Sequence, residues 1–278
     1  MKDGQLVALG DGCRLSAPRR AAGSQAGTAD PSGQRSPQGA EIVDIGGVDA
    51  QHSGGPRHST TPFVFNVSVN CYLVKTGDGY ILIDTGRTNK RGAIEKELES
   101  AGCRPGNLKL IVLTHGDFDH CGNAAYLRKK FGTKIAMHYD DSGMVERGDM
   151  FWNRKKPNTL IRIIFGLFFR LSKSDRFKPD LYLKDGYDLS GYGFDAKVLH
   201  TPGHSKGSIG ILTTGSDLFR GDLLANVDKP ELWSIIDDSA AANASVEKLK
   251  GLEINTVYPG HGKPFPMEQF TRKGDASR

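Results

Sequence analysis

The sequence lacks any uncharged apolar run of the ~18 residues that a membrane-spanning helix requires. Its most apolar stretch, residues 160–171, is short and includes Arg162 and Arg170. The four cysteines form no C-x-x-C pair, and the N-terminus shows no basic region followed by an apolar segment and a small-residue cleavage site. These absences argue against a transmembrane protein, a disulfide scaffold and a secreted protein, and they predict a reducing, cytoplasmic location.

Aromatic residues are absent from the first 62 positions, which nevertheless hold 11 of the 35 glycines and 5 of the 13 prolines. Such a segment cannot bury enough apolar area to offset the entropy lost on ordering. We therefore predict a disordered N-terminal extension over residues 1–62, with a short strand near residues 41–45. A single domain is predicted over residues 63–278.

From residue 63 onward, short β-rich runs alternate with helical patterns. Residues 63–75 and 80–84 predict a hairpin around a D-G turn. Further strands are predicted at residues 108–113, 134–138, 196–200, 208–213, 217–220 and 255–258, and helices at residues 88–101, 122–131 and 244–250. This order predicts an α/β domain with mixed sheets.

Seven side chains that can bind metal ions follow the predicted strands. Four of them lie within six residues, directly after the strand at residues 108–113: His115, Asp117, Asp119 and His120. Three more lie in glycine-containing turns: His204, Asp222 and His261. Imidazole and carboxylate together suit zinc, iron or manganese, whereas calcium prefers oxygen ligands alone. Seven ligands from four strand ends are enough to bind two metal ions.

The pattern resembles the metallo-β-lactamase fold superfamily of metal-dependent hydrolases. The common H-x-H-x-D-H motif of that superfamily corresponds to H-x-D-x-D-H at residues 115–120 here, and the later His, Asp and His also match in order and spacing. The resemblance extends from about residue 63 to the C-terminus. It implies a four-layer αβ/βα sandwich with the active site at the edge between two sheets.

The same resemblance implies a role for each matching residue. His115, Asp117 and His204 would bind a first metal ion, Asp119, His120 and His261 a second, and Asp222 would bridge the two. Asp84, in a D-T-G turn, would support the site without binding metal. A water or hydroxide between two divalent ions would cleave an ester, lactone, thioester, amide or phosphodiester bond. Asp119 is then the candidate catalytic residue, which orients the nucleophile and transfers its proton.

Asp117 departs from the common motif, which has a histidine at this position. The extra carboxylate makes the site more electron-rich, so we expect zinc as the default metal but a shift toward iron or manganese, or a weaker first site. Two other functions stay open at this point. One is an iron-dependent oxidoreductase of the persulfide-dioxygenase type, and the other is a non-catalytic metal-binding module.

An insertion at residues 147–178 contains nine Lys and Arg residues, two Asp residues and an apolar block. We interpret it as a lid for a small-molecule, amphipathic and anionic substrate, with a packed helix or a homodimer contact as alternatives. No clear nucleic-acid signal is present. Glyoxalase II-like enzymes carry a helical C-terminal region that binds glutathione. Only 17 residues follow His261 here, so we do not expect a glutathione substrate.

Overall fold

The computed structural model describes residues 5–8, 44–45, 68–77, 79–155 and 171–275. Two strands, at residues 5–8 and 44–45, fall within the segment for which the sequence predicts disorder. The prediction for the rest of residues 1–62 lies outside the described residues. The same holds for residues 156–170, the centre of the basic insertion, and therefore for its interpretation as a lid.

The first sheet has seven strands in the described residues, in the order β1-β3-β4-β5-β6-β7, with β2 also paired to β3. Their bounds are Gln5–Ala8 (β1), Asp44–Ile45 (β2), Cys71–Thr76 (β3), Gly79–Ile83 (β4), Leu108–Val112 (β5), Lys134–His138 (β6) and Leu181–Leu183 (β7). The predicted hairpin is confirmed, because β3 and β4 are antiparallel and Thr76 pairs with Gly79 across the turn. Its first strand begins at Cys71 rather than within residues 68–70, and residues 63–67 lie outside the described residues. Strands β4 to β7 run parallel to one another.

The second sheet has five strands in the order β14-β13-β10-β9-β8, and a separate hairpin joins β11 to β12. The bounds are Ala196–His200 (β8), Ile209–Thr213 (β9), Asp217–Arg220 (β10), Leu224–Asn226 (β11), Pro230–Leu232 (β12), Thr256–Pro259 (β13) and Phe265–Pro266 (β14). Strands β8 and β10 are each antiparallel to β9, and β13 is parallel to β10. The carboxyl ends of β8, β10 and β13 therefore lie at one edge of the sheet.

Helices cover the outer face of each sheet. Their bounds are Arg91–Ser100 (α1), Phe118–Cys121 (α2), Ala124–Phe131 (α3), Tyr139–Arg147 (α4), Ser239–Lys250 (α5) and Met267–Asp275 (α6), with 3₁₀ turns at Thr88–Lys90, Lys173–Asp175 and Ser190–Tyr192. Within the described residues, no helix has both the length and the apolar character needed to cross a membrane.

Three buried clusters show the layer order. Ile81, Val112 and Ile211 belong to the cluster between the two sheets. Leu98 of α1 and Phe131 of α3 pack on the opposite face of the first sheet. The third cluster lies on the outer face of the second sheet and includes Leu218, Val257 and Leu249 of α5. Burying each of these side chains contributes about 1.5–3 kcal/mol, and the result is the predicted four-layer αβ/βα sandwich.

Four helices differ from the sequence-based prediction: α2, α4 and α6 were not predicted, and α5 is longer than predicted. Helix α5 begins five residues earlier than predicted, because Asp238 caps it by accepting a hydrogen bond from the Ala241 amide at 3.0 Å, and the alanines that follow favour helix. Helix α4 was not predicted, since Gly143 and two aspartates weaken its helical signal. It is stabilised instead by tertiary packing of Met144 and Val145.

Candidate metal centre

The seven predicted ligands lie at strand ends on one edge of the sandwich. The motif at residues 115–120 follows β5 and runs into α2. Three turns of the second sheet face it, carrying His204 after β8, Asp222 after β10 and His261 after β13. Because these three strands share a direction, their carboxyl ends present the side chains at the same edge.

Three side chains form the first group. Their ligand atoms lie within 4.8 Å of one another, and all three residues, His115, Asp117 and His204, are buried. Asp117 Oδ2 lies 3.0 Å from His204 Nε2 and 3.5 Å from His115 Nε2. The structure thus brings together the residues predicted for the first metal ion.

A second group contains Asp119, His120 and His261, again with ligand atoms within 4.8 Å. Asp119 Oδ2 lies 4.0 Å from His261 Nε2, and the Asp119 side chain is 14% exposed. Asp119 is therefore the carboxylate of the cluster that solvent or a substrate can approach.

Asp222 lies between the two groups. Its Oδ1 is 3.2 Å from His120 Nε2, and its Oδ2 is 3.1 Å from His261 Nε2, 3.8 Å from His204 Nε2 and 4.0 Å from His115 Nε2. One buried carboxylate therefore faces all four imidazoles, as a bridging position requires.

The hydrogen bonds behind the imidazoles fix which nitrogen faces the centre. His204 Nδ1 donates to the carbonyl of Ile235 at 2.6 Å, and His261 Nδ1 donates to the carbonyl of Ser68 at 2.8 Å. Since a carbonyl oxygen can only accept, Nδ1 carries the proton in both rings. In the neutral form, Nε2 is left with a lone pair that points into the cluster.

Asp84 orients the rings of His115 and His120 in the same way, directly for His120 and through Thr114 for His115. His120 Nδ1 donates to Asp84 Oδ2 at 2.8 Å. The Thr114 hydroxyl donates to the same carboxylate at 2.7 Å, so it accepts from His115 Nδ1 at 2.9 Å. The predicted supporting position of Asp84 is therefore seen in the structure, and all four imidazoles aim Nε2 inward, as metal-ligating histidines do.

Three polar atoms of the cluster have no hydrogen-bond partner among the described residues, although they are fully buried: His115 Nε2, His120 Nε2 and Asp222 Oδ1. A buried polar atom without a partner costs about 1–3 kcal/mol. Divalent metal ions would satisfy these atoms, so the residues present fit a metal centre.

The charged groups of the cluster shift one another's pKa values. Although burial lowers the pKa of His120 and of His261, the carboxylate of Asp222 raises both above the ordinary 6.5, and Asp84 adds to the shift of His120. Burial raises the pKa of Asp222, but His261 and His120 hold it well below its ordinary value. Without metal, Asp222 therefore favours its ionised form, and His120 and His261 keep their protons to a higher pH than an ordinary imidazole does.

We expect metal affinity to rise with pH above about 6.5, the ordinary imidazole pKa, because a proton must leave His120 and His261 before either Nε2 can bind an ion. Their raised pKa values place this competition above 6.5, and the gain ends once the pH exceeds them. Chelator competition at several pH values measures the slope, and calorimetry in two buffers counts the protons released. An affinity that is constant over this range would contradict the expectation.

A sequence profile described as the Metallo-beta-lactamase superfamily matches residues 64–261. The chain belongs to the metallo-beta-lactamase superfamily. Membership confirms the resemblance seen in the motif, the fold class and the assignment as a metal-dependent hydrolase.

Several superfamily members are similar to this chain. Hydroxyacylglutathione hydrolase GloC of Haemophilus influenzae is 35% identical over 60% of this chain and 74% of that protein. Acyl-coenzyme A thioesterase MBLAC2 of Bos taurus is 27% identical over 73% of this chain and 76% of that protein. The crystal structure of TTHA1623 in a di-iron-bound form matches with a TM-score of 0.58 at 28% identity, over 74% of this chain and 93% of that one. This chain spans 59% of the length of another relative, the Beta-lactamase-like protein 2 homolog of Caenorhabditis elegans, to which it is 26% identical.

Asp141, at the start of α4, connects two loops that carry candidate ligands, and it was missed by the sequence analysis. Its Oδ2 accepts from the Ser205 hydroxyl at 2.6 Å and from the Gly116 amide at 3.1 Å, and its Oδ1 accepts from the Gly207 amide at 2.8 Å. The side chain is completely buried. An acidic residue directly after a strand was the available signal, since the predicted ligands occupy the same kind of position.

Replacing Asp141 by Asn is expected to destabilise the fold by about 2–3 kcal/mol, because the amide nitrogen faces donors and leaves them unsatisfied. Thermal or urea denaturation of the metal-free protein measures this loss. The neighbouring substitution Asp140→Asn is the matched control, since the Asp140 side chain is 43% exposed, and it should change stability by less than about 0.5 kcal/mol. Equal stabilities for the two variants would contradict the structural role of Asp141.

Arg154 and Trp233 also reach the centre without having been predicted. Arg154 forms an ion pair with Asp117 at 2.7 Å. The indole of Trp233 stacks on the His261 ring, with centroids 4.7 Å apart at 15°. Arg154 is one of nine cations in the insertion, and nothing in the sequence distinguishes it from the others.

The remaining histidine and cysteine candidates lie elsewhere or pack below the centre. His138 and His200 stack on each other at 4.1 Å and belong to none of the groups around Asp222. Cys121 is buried, and burial together with the nearby carboxylates raises the pKa of its thiol well above the ordinary value. It therefore fits the predicted packing role better than that of a nucleophile. His52 and His58 lie outside the described residues.

Proposed function

We propose that this protein hydrolyses thioesters of an anionic carrier and that two divalent metal ions serve the reaction. The observation that carries the proposal is the convergence of four Nε2 atoms and three carboxylates at one edge of the sandwich. Ions bound there lower the pKa of water and polarise the substrate carbonyl. The experiment that tests the proposal is a comparison of matched substrates, described below.

The proposed ligands divide between two ions as the distances suggest. His115, Asp117 and His204 would hold the first ion, and Asp119, His120 and His261 would hold the second. Asp222 lies between both. Four imidazoles and three carboxylates suit zinc as the default and iron or manganese as alternatives. Iron gains support from the similarity to a structure solved in a di-iron-bound form.

Two relatives support a thioester substrate. One is named as a hydrolase of hydroxyacylglutathione and the other as an acyl-coenzyme A thioesterase. Both names describe an acyl group on a thiol carrier that bears negative charge. The 35% identity to the first reduces the weight of the sequence-based argument against glutathione, which rested on the short region after His261.

A cavity beside the turn that carries His204 is the candidate binding site for the substrate. It has a volume of about 340 Å³, within the range of small-molecule sites. Its lining includes Trp152, Lys155 and Lys206, and also the carboxylates of Asp237 and Asp238. The indole and the two lysines suit an amphipathic molecule, and because the two carboxylates offset the lysine charges, the anionic character of the substrate rests on the relatives.

Asp119 is the proposed proton carrier. Its carboxylate is the most exposed of the proposed ligands and lies near His261. From this position it orients a water molecule, accepts the proton that the water loses, and returns a proton to the departing thiolate. Such general acid and base catalysis contributes about 10²–10⁴-fold to the rate.

The test compares matched substrates on protein loaded with zinc, iron or manganese. We expect an acyl-glutathione or acyl-coenzyme A thioester to be hydrolysed faster than the oxygen ester of the same acyl group, a lactone, a phosphodiester or a β-lactam. Removal of metal by a chelator should abolish turnover, and added metal should restore it. Faster hydrolysis of the phosphodiester or the lactone would contradict the thioester proposal.

An iron-dependent oxidation of a persulfide is the second candidate, favoured by the oxygen ligand Asp117 and by the di-iron neighbour. Oxygen uptake by the iron-loaded protein with a glutathione persulfide distinguishes it from hydrolysis. Uptake without thioester turnover would favour the oxidoreductase.

A further inference from the structure

Arg154 lies in the segment that follows α4 and pairs with Asp117 inside the protein. Its Nη1 is 2.7 Å from Asp117 Oδ1, and the two side chains are only 6% and 7% exposed. The other carboxylate oxygen, Oδ2, faces His204 Nε2 at 3.0 Å and His115 Nε2 at 3.5 Å. The two oxygens of Asp117 thus have separate partners, one cationic and one in the first metal group.

The pairing changes the charge of the first site. Asp117 places a negative charge where a histidine of the common motif would be neutral. A guanidinium remains protonated in proteins, so Arg154 brings one full positive charge into contact with it. The two charges cancel, and the pair as a whole is as neutral as an imidazole.

The pairing also changes the shape of the ligand. A free carboxylate can approach an ion with either or both oxygens, whereas an imidazole offers a single atom. Because Arg154 occupies Oδ1, only Oδ2 is directed into the first group. Arg154 therefore fixes the direction of Asp117 in the way that hydrogen bonds behind a ligating histidine fix its ring.

We propose that Asp117 and Arg154 together replace the second histidine of the common motif as a neutral, single-atom ligand, with Arg154 as the positioning residue. The inference rests on the proposed metal centre. It revises the expectation drawn from Asp117 alone, because the added negative charge no longer favours harder ions. Only the oxygen donor atom still does so.

A double-mutant cycle tests the pairing. It compares the unmodified protein with Asp117→His, Arg154→Met and the combination of both. Chelator competition with Co²⁺ measures the number of bound ions and the affinity of each binding step, and the Co²⁺ absorption spectrum reports the ligand set. Thermal denaturation of the metal-free proteins provides a readout that does not involve metal.

Asp117→His alone should weaken one of the two binding steps about 10–100-fold, because it leaves an unpaired guanidinium next to the ion. The double variant should regain an affinity within about threefold of the unmodified protein, together with most of the lost thermal stability. Arg154→Met alone should shift the ratio of Mn²⁺ to Zn²⁺ affinity toward manganese, since Asp117 regains its full charge.

Arg147→Met is the matched control. Arg147 belongs to the same part of the chain but stacks on Trp152 at 3.7 Å, so its removal should leave metal affinity unchanged. If Asp117→His does not fold, Asp117→Asn combined with Arg154→Met gives the same cycle with a side chain of the original shape.

Additive effects of the two substitutions on affinity would overturn the pairing while leaving the proposed function intact. An unmodified protein that binds no ion would overturn both. If Arg147→Met shifts the ratio of Mn²⁺ to Zn²⁺ affinity as much as Arg154→Met does, the effect belongs to the segment as a whole, and the specific role of Arg154 is refuted.

Discussion

Asp119→Asn is expected to slow thioester hydrolysis by about 10²–10⁴-fold, with the fold intact. Asn has the size of Asp but cannot accept the proton of the attacking water. The Asp119 side chain is only 14% exposed, and Asn fills the same space, so the packing around it is kept. Steady-state kinetics with protein of measured metal content separates the loss of proton transfer from the loss of an ion.

A comparison of leaving groups tests the proton transfer by Asp119 more directly. If Asp119 returns a proton to the leaving group, its removal should cost more for an alkoxide than for a thiolate, because thiols have pKa values near 8.5 and leave readily without a proton. The loss should therefore increase along a series of esters with increasingly basic leaving groups. Asp228→Asn, on an exposed turn, is the control and should keep full activity. A loss equal for all leaving groups would limit Asp119 to activation of the water.

The convergence of the candidate ligands was predictable because its signals are local. Each ligand directly follows a β-rich run and sits near a glycine, so a histidine or aspartate at that point is read without knowledge of the fold. Sheet geometry then accounts for the convergence of His204, Asp222 and His261, since β8, β10 and β13 share a direction. The four-layer arrangement followed from the resemblance rather than from the composition.

The residues that support the ligands were less predictable, because their contacts cross long stretches of chain. Arg154 meets Asp117 across 37 positions, and Asp141 meets Ser205 across 64. A buried ion pair has no periodic sequence pattern, and an arginine in a basic segment is normally predicted to be exposed to solvent. The sequence analysis therefore treated Arg154 only as one cation of the insertion, whereas the structure places it in contact with Asp117.

Asp84→Ala is expected to lower stability by about 3–5 kcal/mol and to weaken metal binding about 10–100-fold. The Asp84 carboxylate accepts from the Thr114 amide at 2.8 Å and from the Thr114 hydroxyl at 2.7 Å, and it holds His120 Nδ1 at 2.8 Å. Its removal leaves these buried donors unsatisfied and frees the ring of His120 to rotate. Through Thr114, the effect extends to His115. Urea denaturation and chelator competition measure the two losses.

Backbone conformation must be separated from the loss of the carboxylate, because Asp84 has a φ of +58°. Alanine is strained in this left-handed region by about 1–2 kcal/mol, whereas glycine is not. Asp84→Gly should therefore be more stable than Asp84→Ala but equally poor in metal binding, since both lack the carboxylate. Asp84→Asn, which tolerates this conformation, keeps one acceptor oxygen and should fall between Gly and the unmodified protein in affinity. If Asp84→Gly bound metal normally, the orientation of His120 and His115 would have to come from their packing alone, and the hydrogen bonds behind the ligands would lose their proposed role.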